Sequence, residues 1–153
     1  PGELEDNPMI RATGKILVAD DDQEIRLGVS ELLMPLGLEV VMASTGPEAL
    51  EIARARLVDA MVLDCHMPGC SGLDVLISLS SRSNEASIPC IFCTGRPSKY
   101  LEAAVRNAGV WAFLHKPIRP DVLRSEVLRA LEHVHGTRDG SDRSDPDHRA
   151  DRN

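Results

Sequence analysis

Aromatic side chains are scarce in this sequence of 153 residues. They make up 3% of the chain (two Phe, one Tyr and one Trp), whereas 42% of the residues are hydrophobic. A core of this composition must consist mainly of Val, Leu, Ile, Ala and Met. A chain of this length has room for one domain with a substantial buried core.

Basic residues are outnumbered by acidic ones. The sequence has 17 Lys and Arg against 24 Asp and Glu, which gives a net charge of −7 and a pI of about 5.2. A nucleic-acid surface depends on clustered positive charge. We therefore expect no nucleic-acid partner.

Long apolar runs are missing as well. No stretch approaches the roughly 18 consecutive apolar residues of a membrane-spanning helix. The first residues show no charged segment followed by an apolar one, as a signal peptide would. We predict a cytoplasmic protein without a membrane partner.

Cysteine occurs at four positions, Cys65, Cys70, Cys90 and Cys93. The spacing of Cys90 and Cys93 matches the CxxC pattern of zinc and redox sites. Both lie in the apolar run Ile88–Cys93, which is typical of a strand, and residues three apart on a strand point to opposite faces. We therefore predict buried free thiols, which are common in a reducing cytoplasm.

Composition divides the chain into three parts. Residues 1–13 are polar, and we expect a disordered segment or a cloning remnant, with Met9 as a candidate native start. Residues 136–153 contain a single apolar residue, Ala150, so burial cannot offset the entropy of ordering them and we expect a disordered tail. Residues 14–135 are predicted to form the folded domain.

Short apolar runs alternate with amphipathic stretches in this middle part. The predicted strands are Lys15–Ala19, Leu38–Ala43, Ala60–Leu63, Ile88–Cys93 and Trp111–Leu114. Helical spacing predicts five helices, Ile25–Leu33, Thr45–Arg56, Gly72–Ser80, Lys99–Ala108 and Pro120–Val134. Strands that are apolar throughout indicate burial on both faces of a parallel sheet. Five such units favour an α/β fold with an open doubly wound sheet, because an eight-stranded barrel needs about 250 residues.

Polar residues follow four of the predicted strands. They are Asp20, Asp21 and Asp22 after the first, Asp64 after the third, Thr94 and Gly95 after the fourth, and Lys116 after the fifth. Ligands of open α/β sheets bind at the carboxyl ends of the strands, so we expect these residues to share one site. Clustered carboxylates repel one another unless a cation joins them, and Mg²⁺ prefers such oxygen ligands. With a hydroxyl and an ammonium added, the set is suited to phosphoryl transfer onto an aspartate.

Each of these residues alone has an ordinary explanation. An Asp after a strand is usually a helix cap or a turn residue, and we predict that Asp22 is a cap. A lone Lys-Pro is usually a solvated turn. Their combination after four different strands favours the functional interpretation.

Three segments resemble the signature segments of response-regulator receiver domains. They are Lys15–Asp22, Val62–Gly72 and Leu114–Pro117, and the similarity covers residues 15–135. The resemblance implies a flavodoxin-like fold with strand order 2-1-3-4-5. It also implies that Asp64 accepts a phosphoryl group from a phosphohistidine of a sensor histidine kinase or histidine phosphotransfer protein. Such a domain catalyses only its own phosphorylation and dephosphorylation, so no separate enzyme activity is expected.

The resemblance also implies roles for individual residues. Mg²⁺, or Mn²⁺ in its place, would be bound by Asp21, Asp64 and the backbone carbonyl of His66, with Asp20 acting through water. The phosphoryl oxygens would contact Thr94, Lys116 and the backbone N–H groups of Cys65 and Gly95. The peptide bond before Pro117 is often cis in this family.

A switch is implied too. Movement of Thr94 toward the phosphoryl group would let Phe113 turn inward, and this would reshape a face formed by the fourth helix, fifth strand and fifth helix. An output protein of unknown identity would bind that face. Trp111 either packs under the fourth helix or belongs to the recognition surface.

Several positions depart from the family pattern. Gly95 stands where Ala is usual, and His66 and Arg96 occupy positions that tune the lifetime of the phosphate. Trp111 and Ala112 replace two acidic residues that form dimer salt bridges in one DNA-binding subfamily. That dimer mode is therefore not expected here.

Three other functions are possible on a fold of this class. An aspartate-nucleophile phosphohydrolase would need a second Asp where His66 stands. A flavin- or nucleotide-binding module would need a Gly-rich loop after the first strand. A pseudo-receiver that acts only as a scaffold would not need the full set of Asp20, Asp21, Asp64, Thr94 and Lys116.

Overall fold

The computed structural model describes residues 12–80 and 87–142. Strands and helices alternate along the chain in the order β1 (Lys15–Ala19), α1 (Gln23–Leu33), β2 (Glu39–Ala43), α2 (Gly46–Arg54), β3 (Ala60–Asp64), α3 (Gly72–Ser80), β4 (Cys90–Thr94), α4 (Lys99–Asn107), β5 (Ala112–His115) and α5 (Pro120–Asp142). A short 3₁₀ helix, Met34–Leu36, follows α1. No helix within the described ranges is both long and apolar enough to cross a membrane.

The five strands form one parallel sheet in the order β2-β1-β3-β4-β5. This confirms the predicted doubly wound, flavodoxin-like order. Because all strands run in the same direction, their carboxyl ends lie along one edge of the sheet. Asp64 is level with Cys93 on β4, and Thr94 is level with His115 on β5.

Helices cover both faces of the sheet. Helices α2, α3 and α4 pack on one face through a buried cluster that includes Leu17, Ala49, Leu63, Val75, Phe92 and Val105. Helices α1 and α5 pack on the other through Ile16, Val29, Leu33, Val62, Leu123 and Val127. The central strands β3 and β4 are buried along their whole length, whereas the edge strands β2 and β5 are partly exposed. The prediction of strands buried on both faces therefore holds for the centre of the sheet and not for its edges.

Strand boundaries differ from the predicted ones by one or two residues. β3 and β4 include Asp64 and Thr94, which were predicted to follow the strands. β5 begins at Ala112 and not at Trp111. Backbone hydrogen bonds define a strand, and they continue past the end of an apolar run, so hydrophobicity alone misplaces the ends.

The limits of the folded domain also differ from the prediction. The N–H of Ala12, within the segment predicted to be disordered, donates to the carbonyl of Leu36 at 2.7 Å. Helix α5 continues to Asp142, past the predicted boundary at residue 135. A helix anchored by Leu123, Val127 and Leu131 can extend over polar residues, since a glycine within it costs only about 1 kcal/mol. Residues 1–11 and 143–153 lie outside the described residues.

The thiols are free and do not converge, as predicted. Cys90 belongs to the cluster on the α2, α3 and α4 side, and Cys93 to the cluster on the opposite face. Burial raises the pKa of Cys93 to about 12 and also raises that of Cys90. Neither thiol is suited to metal binding or to thiolate chemistry at neutral pH.

Candidate functional site

Three carboxylates meet at the carboxyl edge of the sheet. One side-chain oxygen each from Asp20, Asp21 and Asp64 lies within 4.8 Å of the other two. Asp20 and Asp64 are 4% and 5% exposed, whereas Asp21 faces solvent. The topology thus brings together the three carboxylates predicted to share a site, with an open side toward solvent.

The turn between β1 and α1 positions two of these carboxylates. The N–H of Asp22 donates to Oδ1 of Asp20 at 2.9 Å. The side chain of Asp22 in turn accepts hydrogen bonds from the N–H groups of Glu24 and Ile25, as predicted for a helix cap. The side chain of Asp22 therefore caps helix α1 and is not one of the three clustered carboxylates.

Lys116 joins the two buried carboxylates. Its Nζ lies 2.9 Å from Oδ2 of Asp20 and 2.8 Å from Oδ1 of Asp64. The peptide bond between Lys116 and Pro117 is cis, as the resemblance implied. One ammonium thus partly neutralises two buried negative charges.

The charge balance of the cluster is incomplete. Burial and the charges of Asp20 and Asp21 raise the pKa of Asp64 above its ordinary value, and the contact with Lys116 opposes this rise. For Lys116, burial disfavours the charged form, but hydrogen bonds to Asp64 and Asp20 outweigh that effect and raise its pKa. Three carboxylates against one ammonium leave the site with excess negative charge.

Thr94 ends β4 beside this cluster and is fully buried. Its Oγ1 accepts a hydrogen bond from the backbone N–H of Arg96 at 3.1 Å. Side chains alternate along a strand, so Thr94 lies on the same face of the sheet as Phe92. Gly95, the next residue, is exposed, and a Cβ on it would lie 3.9 Å from the Cβ of Lys116, in ordinary van der Waals contact.

Phe113 is half-buried on this same face. Its ring stacks on that of Phe92, with the ring centroids 6.1 Å apart. The ring of His115 is nearly perpendicular to it, with the centroids 5.4 Å apart. The structure therefore places Thr94 and Phe113 on one face of adjacent strands, as a switch between them requires. The contact with His115 was not predicted from the sequence.

The loop after β3 departs from one expectation. The N–H of Cys65, predicted to contact a phosphoryl oxygen, donates to the carbonyl of Cys93 at 3.0 Å. In this conformation that N–H completes the sheet, so a phosphoryl oxygen would have to compete for it. His66, the next residue, is exposed.

Two glycines that the sequence argument did not single out position this loop. A Cβ on Gly72 would lie 2.1 Å from the carbonyl oxygen of Asp64, and one on Gly46 would lie 2.0 Å from that of Cys70. A larger residue at Gly72 would displace the end of β3 at Asp64, and one at Gly46 would displace the loop that follows it at Cys70. Only the packing of α2 and α3 against the loop reveals this constraint.

Trp111 packs against α5, which corrects the predicted contact with the fourth helix. Its Nε1 donates to Oε2 of Glu126 at 3.1 Å, and its ring lies 5.3 Å from that of His133. Strict alternation along β5 would place Trp111 on the same face as Phe113, but Trp111 precedes the strand and packs in the cluster on the α1 and α5 side of the sheet.

The cluster has the donors that Mg²⁺ requires. All the candidate ligands are oxygen atoms, and the net negative charge favours a divalent cation. Asp20, Asp21 and Asp64 would hold the ion, and it would neutralise their excess negative charge.

Comparisons with known proteins agree with this arrangement. The family model for the response regulator receiver domain matches residues 16–128. The chain is 36% identical over 114 residues to the CAI-1 autoinducer sensor kinase/phosphatase CqsS of Vibrio cholerae, covering 74% of this chain and 17% of that protein. It is 28% identical over 123 residues to the chemotaxis protein CheY of Pseudomonas aeruginosa, covering 80% and 99% of the two chains.

Solved structures show the same similarity. The receiver domain of the Francisella response regulator 1452 superposes with a TM-score of 0.73 at 27% identity, covering 78% of this chain and 98% of that one. The chain spans 17% to 51% of the length of several curated relatives. The sequence motifs, the strand order and the family model all agree, and the chain therefore belongs to the receiver domains of two-component response regulators, a family whose function is to accept a phosphoryl group.

Proposed function

We propose that Asp64 is the residue of this chain that accepts the phosphoryl group. The observation that carries the proposal is the position of Lys116, whose ammonium lies between Asp64 and Asp20 at the open edge of the sheet. A carboxylate oxygen of Asp64 attacks the phosphorus of a phosphohistidine. The new P–O bond forms as the P–N bond breaks, and the electron pair returns to the histidine nitrogen.

Asp20, Asp21, Asp64 and the backbone carbonyl of His66 are the groups we propose to hold Mg²⁺, or Mn²⁺ in its place. When bound, the cation supplies positive charge that neutralises the carboxylates and the transferring phosphoryl oxygens. Asp21 is the exposed member, so it lies where an incoming ion can reach it. Burial, and to a smaller extent the charges of Asp20 and Asp21, raise the pKa of Asp64, and a bound cation would oppose this rise.

Lys116, Thr94 and Gly95 are proposed to receive the phosphoryl group. Lys116 can turn its ammonium from the carboxylates toward phosphoryl oxygens only a short distance away. The Oγ1 of Thr94 accepts from the N–H of Arg96, and its hydroxyl can at the same time donate its own proton to the same oxygens. Movement of Thr94 toward those oxygens would alter the bond to Arg96 and so couple phosphorylation to the backbone of the loop between β4 and α4.

The domain is proposed to act as a switch and to catalyse only its own phosphorylation and dephosphorylation. Phosphorylation would favour an arrangement in which Thr94 moves toward Asp64 and Phe113 turns inward. The face formed by α4, β5 and α5 would then bind an output protein. A sensor histidine kinase or phosphotransfer protein in the cytoplasm would supply the phosphoryl group, and no nucleic acid or membrane is required.

Acetyl phosphate with Mg²⁺ tests this function directly. The wild-type protein should gain one phosphoryl group by mass spectrometry, and the modification should be labile, as acyl phosphates are. Asp64→Asn should gain none, because an amide is not nucleophilic. An acid-stable phosphoryl group on Ser or Thr, or an unchanged yield in Asp64→Asn, would contradict the proposal.

A further inference from the structure

Arg26 connects helix α1 to the acidic turn. Its Nη1 donates to the backbone carbonyl of Asp20 at 2.7 Å, a short bond between a charged donor and a main-chain acceptor. The side chain is half-buried, and its own N–H donates to the carbonyl of Asp22 at 3.0 Å within the helix. Arg26 therefore binds the backbone of the turn through both its side chain and its own N–H group.

This bond acts on a planar group shared by two of the carboxylate residues. The carbonyl of Asp20 and the N–H of Asp21 belong to the same peptide unit, which is rigid. A hydrogen bond that fixes the carbonyl oxygen therefore fixes the orientation of the whole peptide plane, which includes the Cα of Asp21. The direction of the Asp21 side chain depends on that plane.

The side chain of Asp20 does not need Arg26 for its orientation. Its Oδ1 accepts from the N–H of Asp22 and its Oδ2 from Lys116. Within the described residues, no hydrogen bond to the Asp21 carboxylate restrains it in the same way. The backbone of the turn must therefore orient Asp21, and Arg26 is the side chain that holds this backbone.

We propose that Arg26 is a positioning residue for the metal site, which it preorganises through the peptide between Asp20 and Asp21. The inference rests on the proposed function, since it assumes that Asp21 binds Mg²⁺. Groups that orient metal ligands from behind typically change metal affinity about 10- to 100-fold when they are removed. We expect roughly a tenfold loss in Arg26→Ala, because one hydrogen bond to the backbone is lost while the ligands remain.

The charge of Arg26 has the opposite effect on Mg²⁺. Removing a cation near three carboxylates should tighten Mg²⁺ binding, although solvent and salt weaken this effect at a half-exposed position. The two effects differ in sign, so the direction of the change separates positioning from simple electrostatics. Ala and Arg are both good helix formers, so the substitution does not weaken α1 through its propensity.

The experiment is a calorimetric titration of the whole chain with MgCl₂ near 0.15 M KCl. Arg124→Ala is the matched control, because Arg124 also donates its side chain to a backbone carbonyl, that of Leu32, away from the site. It removes the same charge from the protein. Asp21→Ala serves as the reference for the loss of a direct ligand.

A second measurement reports on the peptide itself without metal. The ¹⁵N shift of the Asp21 amide should change in Arg26→Ala and stay unchanged in Arg124→Ala, since this amide shares the peptide with the Asp20 carbonyl. Arg26→Lys keeps the charge but loses the planar guanidinium, and it should weaken Mg²⁺ binding by an intermediate factor. If Arg26→Ala does not fold, Arg26→Lys and its Asp21 shift decide the question.

The outcomes are distinct. A Kd for Mg²⁺ that is about tenfold higher in Arg26→Ala and unchanged in Arg124→Ala supports the inference. Suppose that the wild type binds Mg²⁺ and that Asp21→Ala does not. An equal or lower Kd in Arg26→Ala than in the wild type then overturns the inference and leaves the proposed function intact. A wild type that does not bind Mg²⁺ overturns both.

Discussion

Asp64 carries two opposing demands at the scale of a single residue. Its proposed nucleophilic role needs the ionised form, yet burial and the neighbouring carboxylates raise its pKa and disfavour that form. Lys116 offsets part of this cost through its 2.8 Å contact. Without a cation, the ionised carboxylate of Asp64 therefore makes the folded state less stable than a neutral side chain of similar size would.

Replacing Asp64 by Asn should stabilise the metal-free protein at neutral pH. A group whose pKa is raised in the folded state contributes stability below its unfolded pKa, near 3.8, and loses that contribution as pH rises through the folded value. At pH 7 the ionised carboxylate therefore lowers the free energy of unfolding, and Asn removes this effect. We expect a melting temperature higher by a few degrees in EDTA, in keeping with about 1 kcal/mol for a domain of this size.

The pH dependence supplies the control for this prediction. The advantage of Asp64→Asn should shrink as the pH is lowered toward 4, because Asp64 of the wild type then becomes protonated. Excess Mg²⁺ should also reduce it by stabilising the wild type. A lower melting temperature for Asp64→Asn at pH 7 in EDTA would show that the ion pair with Lys116 outweighs burial and repulsion.

At the scale of elements, the ends of β4 and β5 link the site to the outer face. Thr94 and Phe113 lie on one face of neighbouring strands, and Phe113 is held between Phe92 and His115. Phe92 is fully buried and cannot move readily. Any rearrangement of Phe113 must therefore break its contact with His115 or slide along Phe92.

Thr94→Ala should separate phosphoryl binding from the movement of Phe113. Without the hydroxyl, beryllofluoride can still bind at Asp64, but nothing draws the end of β4 toward it. NMR shifts should then change for the neighbours of Asp64 and not for Phe113. Thr94→Ser retains the hydroxyl and serves as the control, and full movement of Phe113 in Thr94→Ala would refute the relay.

Trp111 joins the start of β5 to α5 and should contribute to stability. Trp111→Ala would lose the hydrogen bond to Glu126 and the ring contact with His133, together with half-buried apolar area. We expect a loss of about 1–3 kcal/mol in the free energy of unfolding, measured by urea denaturation. Trp111→Phe keeps a ring without the N–H and should fall in between.

Partner binding distinguishes this structural role from a recognition role. If Trp111→Ala leaves stability unchanged but weakens binding of an output protein, the residue belongs to the recognition surface. Trp111 fluorescence in the wild type should in either case report on changes at α5. The contact with α5 makes the structural role the expected one.

At the scale of the whole molecule, charge favours protein partners over DNA. The chain carries a net charge of −7, and the ammonium of Lys116 at the site is paired with Asp20 and Asp64. We expect no retardation of DNA fragments at about 0.15 M salt, where even basic proteins lose much of their non-specific affinity. The phosphorylated and unphosphorylated chains should behave alike in this gel assay, and retarded fragments would contradict the prediction.

The sequence by itself determined the fold class and predicted which residues would meet at the carboxyl edge of the sheet. Local hydrophobic patterns predict the strands and therefore the residues at their ends. These patterns were enough to predict a shared site for Asp20, Asp21, Asp64, Thr94 and Lys116. The cap at Asp22 is equally local, because it bonds residues two and three positions away. Hydrophobicity predicted the strands but not their last residues, since the hydrogen-bond ladder decides where a strand ends.

Tertiary structure alone decided how these residues contact one another. Lys116 pairs with Asp20, 96 residues away in sequence, and no spacing rule predicts that it also bridges to Asp64. The hydrogen bond from Cys65 to Cys93 and the packing of Trp111 on α5 likewise depend on which elements become neighbours. Sequence periodicity specifies the face on which a side chain lies, whereas distances and charge balance arise only when distant segments pack together.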